Sequence, residues 1–139
     1  MDKDLLRSKL QMLLQYVGSI KSQKVTSPEG LEPNSYKWAV VILNWSNAMQ
    51  MCVDMGKILL VNCGMQYRDV RSQGLQDTIF AMNIRKLILE NLRDKLIDDI
   101  KFRNKAIHEC DILSSQEIVQ KVQNNLSDFA EFAKAVSAL

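Results

Sequence analysis

Histidine is nearly absent from this chain: of 139 residues, His108 alone carries an imidazole. General acid–base chemistry near neutral pH therefore has one obvious bearer, and no convincing metal cage can be assembled around it. The three cysteines, Cys52, Cys63 and Cys110, are odd in number and lack Cys-x-x-Cys spacing. That argues against a disulfide framework and against a zinc knuckle, so reduced thiols are expected. Five glycines and two prolines provide no flexible linker, which predicts a single domain over residues 1–139. No apolar run approaches the roughly 20 residues of a membrane span. The start, MDKDLLRSKLQMLL, has neither the apolar core nor the cleavage site of a signal peptide, so a cytoplasmic protein without membrane contact is expected. Glycine-rich phosphate loops, His-Glu-x-x-His and EF-hand loops are all missing, and no cofactor is expected.

Charge is balanced as well. A net charge of +2 is too small to mark a nucleic-acid binder by itself. Between Arg85 and Lys105 seven basic residues stand against four acids, a mixture usual on exposed helix faces.

What is present is helical periodicity. Leu5, Leu6, Leu10, Leu13, Leu14, Val17 and Ile20 predict an amphipathic helix over about residues 3–24. Both prolines fall in TSPEGLEPN, Thr26 to Asn34, the clearest loop. Beyond it Trp38, Val41, Trp45, Ala48, Cys52, Met55 and Leu59 form one apolar stripe on a long second helix. Asn47, Gln50, Asp54 and Lys57 make a polar row on another face of that helix. The segment 62–74 should end it, with a shorter helix over about 75–82. Leu89, Leu92, Leu96, Ile100, Arg103 and Ile107 resume helical steps. Ser114 and Glu117 form a capping box that opens a last helix through Ile118, Val122, Leu126, Phe129, Phe132 and Val136. Beta signals are nearly absent. The expected fold is all-α, an antiparallel bundle of four to five helices.

Within the fourth helix Arg103 holds a place in the row that apolar residues otherwise occupy. An unpaired buried arginine is costly, so this position should face a seam, a cleft or an anionic partner. On an ideal helix Arg103 and His108 diverge by about 140°, whereas Asn104 and His108 share a face one turn apart and Asn104 can orient the imidazole. Taken alone, such a histidine is more often a surface residue at a helix end than a catalyst. Cys110 and His108, two residues apart, point away from one another and make a poor nucleophilic pair. The adjacent Asp98 and Asp99 do not face a common target and are expected to be surface charges.

Arg103-Asn104-x-x-x-His108 resembles the Arg-Asn-x-x-x-His signature of the HEPN superfamily of helical ribonucleases. Cys52-Val53-Asp54-Met55 is similar to that family's Ile-Asp-Ile-Ala stretch, and VQKVQNNLSDFAEF resembles the closing helix of HepT-type toxins. The likeness spans about residues 36–136. It implies a homodimeric, metal-independent endoribonuclease of a toxin–antitoxin pair, acting on RNA and partnered by a minimal, MntA-like nucleotidyltransferase antitoxin. It implies His108 as general acid or base, Arg103 as phosphate ligand, Asn104 as a support for the imidazole and Asp54 as a cleft residue near them, with Lys105 a weaker candidate. HepT proteins commonly carry a tyrosine two residues after the histidine, the acceptor of adenylyl groups from the antitoxin. This chain has Cys110 there. The alternative class is a catalytically inactive helical dimer that binds a nucleotidyltransferase or nucleic acid as a regulator.

Overall fold

A computed structural model describes residues 3–139, and among them every regular element is helical. Helix α1 (Lys3–Ser22) turns Leu13, Val17 and Ile20 inward and leaves its charged face to solvent. After the proline-containing loop, α2 (Tyr36–Asn62) starts where Ser35 Oγ accepts the Trp38 amide at 3.2 Å, a serine cap that satisfies one of the free amides of the first turn. It ends at Cys63, followed by Gly64 with φ +100°, a left-handed position that glycine adopts without steric cost.

Two departures from the periodicity follow. The polar segment 62–74 contains a one-turn helix, α3 (Tyr67–Arg71), held by a single buried side chain, Val70. One apolar residue in five is too little for a period to be read. The expected closing helix is two, α6 (Ser115–Asn125) and α7 (Ser127–Ser137). Leu126 keeps helical dihedrals, so the apolar row runs on, but Asn125 donates to Asp128 Oδ2 at 3.3 Å. Polar side chains of this type compete with the helix for its own hydrogen bonds. Between these lie α4 (Leu75–Ile84) and α5 (Glu90–His108). The four to five expected helices thus become seven among the described residues, in an all-α bundle. The capping box forms as expected, with Glu117 N donating to Ser114 Oγ at 3.1 Å.

One core runs through the described residues. At its centre the Trp45 indole meets Phe102 and Phe129 edge-on, with ring centroids 5.3 and 4.9 Å away, the arrangement that aromatic quadrupoles favour. Helix α4 crosses α2 closely: a Cβ on Gly56 would lie 2.6 Å from Met82 Sδ. Ser115 Oγ donates to the Leu31 carbonyl at 2.7 Å, which ties the segment just after α5 to the segment just before α2. The two helices therefore run antiparallel, with the end of α5 beside the start of α2.

Candidate functional site

The α2–α5 seam brings the Arg103 side chain over α2, half-buried. Its Nε donates to Ser46 Oγ at 3.3 Å and its Nη1 to Asn104 Oδ1 at 3.0 Å. No carboxylate pairs with it among the described residues. Its position is held by two neutral acceptors, so its full positive charge is left for an outside anion. This is the seam that its place in the apolar row suggested.

His108 is the last residue of α5, exposed to solvent, and its ring bonds to no described residue. Behind it, Glu109 N donates to the Lys105 carbonyl at 2.8 Å and closes the helix. Asn104 shares the histidine's helix face, but its carbonyl oxygen is spent on Arg103. Asp54 lies two turns beyond Ser46 on α2 and does not reach Arg103. It accepts from Gln50 Nε2 at 2.8 Å and from Lys9 Nζ of α1 at 3.4 Å. Lys105 is taken by Glu117, 2.8 Å away, and the Lys105 ammonium holds the Glu117 carboxyl below its usual range. Cys110 is an exposed free thiol at the start of a short 3-10 turn, Cys110–Ile112.

Sequence reasoning did not single out Ser46 or Lys9. Ser46 follows Trp45 directly, and a hydroxyl beside a core tryptophan carries no signal until the arginine fifty-seven residues later is laid against it.

One expectation fails. Asp98 and Asp99 are not a pair of surface charges: Asp98 is exposed, but Asp99 is wholly buried. A carboxyl here turns inward because a second helix supplies its counter-ion. Lys121 of α6 places its Nζ 2.7 Å from Asp99 Oδ1 and 2.7 Å from Asp98 Oδ2. Burial pushes the Asp99 carboxyl up to about 8, helped by a hydrogen bond with the buried Asp128 of α7 and opposed by Lys121. Burial works against the charge on Lys121, yet Asp98 and Asp99 outweigh it and hold the ammonium above its usual value. Burial, then the Asp99 charge, pushes the Cys52 thiol up. The cluster sits directly under the site: the Asp99 carbonyl accepts Trp45 Nε1 at 3.3 Å, and Trp45 and Asp99 precede Ser46 and Arg103 by one residue and one turn. Among the described residues no group of three or more His, Cys, Asp or Glu is placed to hold a metal ion.

An all-α bundle with an unneutralised arginine and a solvent-facing histidine on the same helix is the arrangement that the resemblance to HEPN domains implies. Residues 10–136 match the family described as Ribonuclease HepT-like, and the chain belongs to that family. The mRNA nuclease HepT of Shewanella oneidensis is 31% identical over 98 residues, 70% of this chain and 71% of that protein. In structure the chain is similar to the tri-AMPylated Shewanella oneidensis HEPN toxin solved in complex with MNT antitoxin, with TM-score 0.84 and 22% identity over 100% of both chains. A toxin–antitoxin structure solved with AMP-PNP gives TM-score 0.81 and 23% identity, over 99% of this chain and 100% of that one. No helix among the described residues is long and apolar enough to cross a membrane.

Proposed function

We propose that the chain is a metal-independent endoribonuclease toxin whose active site is completed across a homodimer, and that a minimal, MntA-like nucleotidyltransferase is its antitoxin. The observation that carries this reading is Arg103, fixed by Ser46 and Asn104 yet neutralised by no carboxylate, on the helix that ends in a free His108. The family, and the nuclease and toxin–antitoxin relatives, support it.

The chemistry follows from what is within reach. Cutting RNA through its own 2′-hydroxyl requires a base for that hydroxyl, an acid for the departing 5′-oxygen, and cations for the charge that builds on phosphorus. One imidazole does not readily serve as base and acid together. Arg103 and His108 also diverge by about 140° on their helix, so a single chain does not aim both at one phosphate. A two-fold dimer brings two copies of each to one cleft, because an isologous interface sets the same patch of both protomers at the axis. Leu43 of α2 and Ile107 of α5 are exposed beside Arg103, at 61% and 42%, and offer apolar area for that contact. His108 then acts as base or acid and Arg103 holds the phosphate, while Asn104 positions the guanidinium. Asp54, occupied by Lys9 and Gln50, shapes the floor of the cleft. Cys110 puts a thiol where the resemblance expects a tyrosine oxygen.

The test is expression of wild type, His108→Ala and Arg103→Ala, with cleavage of purified RNA measured alongside growth. Loss of general acid–base catalysis costs about 10²–10⁴-fold, and loss of the phosphate cation about 10²–10³-fold. Growth arrest and cleavage by the wild type alone are expected. Equal behaviour of all three proteins would leave the inactive regulatory dimer as the correct class.

A further inference from the structure

At the far end of α2 from His108, that helix and α3 enclose a groove of about 600 Å³ lined by Ile58, Val61 and Val70, with Lys57, Tyr67 and Arg71 at its edges. Tyr67 is 65% exposed, and the Arg71 guanidinium lies 5.8 Å from its ring centroid. Arg68 beside it is also exposed. A tyrosine left this open on a one-turn helix contributes little to the core. Together with an arginine over it and a lysine opposite, it has the parts by which single-stranded nucleic acid is held: a flat π-face for a base and cations for the phosphates on either side.

The groove is also aligned with the proposed cleavage site. At 100° per residue, Lys57 lies about 20° around α2 from Ser46, Gln50 about 40°, Val61 about 60° and Asp54 about 80°. One face of the helix therefore leads from the Arg103 contact to the groove, over about 16 Å at 1.5 Å per residue between Ser46 and Lys57. The single acid on that path, Asp54, is neutralised by Lys9 at 3.4 Å, so a polyanion laid along it meets no uncompensated negative charge. The polar row of α2 thereby acquires a use that simple solvation does not explain.

We propose that this groove is a second RNA contact, an exosite in which a base stacks on Tyr67 while Lys57 and Arg71 hold the flanking phosphates of a single strand. The proposal rests on the nuclease reading, and its partner is RNA because the cations flank an open aromatic face. An apolar patch with acidic and basic edges would instead suit a polypeptide.

Binding of short fluorescein-labelled oligoadenylate, followed by anisotropy, tests it in a His108→Ala background chosen to suppress cleavage. Tyr67→Ala should weaken binding roughly five- to a hundredfold, the worth of one stacked base, and Tyr67→Phe should restore it. Lys57→Ala and Arg71→Ala should each flatten the dependence of log affinity on log salt by about 0.7. Should the His108→Ala parent bind the oligonucleotide and Tyr67→Ala bind it equally well, the exosite is refuted and the nuclease site stands. Should the parent bind none, both readings fall. A Tyr67→Ala protein with unchanged oligonucleotide affinity but altered sedimentation would make the groove a protein-docking face and overturn the proposal.

Discussion

Arg103 and Asp99 sit one turn apart on α5 and illustrate opposite ways of placing a charge beside a core. Arg103 is half-buried and held by neutral oxygens, so its charge is kept for something that arrives from outside. Asp99 is fully buried and pays for its position by holding a proton up to about pH 8. This has a consequence for stability. The carboxyl titrates near 3.9 in an unfolded chain and near 8 in the folded one, so its favourable contribution is complete below about pH 4 and is lost as pH rises to about 8. Denaturant midpoints measured across that window should fall with pH in the wild type and show a shallower slope in Asp99→Asn, which cannot ionise. Parallel slopes for the two proteins would mean that Asp99 is already ionised well below pH 8. Of the proposed site residues, Arg103, Asn104 and His108 were legible through the resemblance that their motif carries, since spacing and residue type alone leave His108 a surface residue at a helix end. The tertiary partners were not, because Ser46 meets Arg103 and Lys121 meets Asp99 only through contacts between helices distant in sequence.

At the scale of elements, boundaries follow capping chemistry where such chemistry exists. Ser114 and Glu117 satisfy each other's backbone amides at the start of α6, and Ser115 ties the same turn to the loop before α2. Ser114→Ala should lower stability by about 1 kcal/mol, visible as a drop in the thermal midpoint, while Ser114→Asp keeps most of it. An unchanged midpoint would show that the capping box adds nothing beyond the packing of α6. Where no such signal exists the pattern misleads. The apolar row from Ile118 to Val136 is continuous and reads as one helix, yet Asn125 and Asp128 divide it. Short α3 hides in a polar segment for the converse reason: with Val70 alone buried it has no period to display.

For the whole molecule, the decisive quantity is association. Leu43 and Ile107 remain exposed on a single chain, and the proposed chemistry needs a second copy over them. Leu43→Glu places a charge in that contact without touching the core. It should shift sedimentation toward monomer and reduce cleavage in step, with activity recovering as protein concentration rises. A variant that stays dimeric, or a monomer that cuts at full rate, would move the interface elsewhere or remove the need for it.

The sequence alone determined that the chain is helical and where its long amphipathic helices run, because helical period is a local property, and the resemblance carried by Arg103-Asn104-x-x-x-His108 supplied the residues proposed for the chemistry. Tertiary structure decided the rest: that Arg103 keeps its charge unpaired, that Asp54 is bound to Lys9 and Gln50, and that Asp99 is buried under Lys121. Each of those depends on which side chain from a distant helix comes within hydrogen-bonding distance, and no periodicity along one helix encodes the identity of its neighbour.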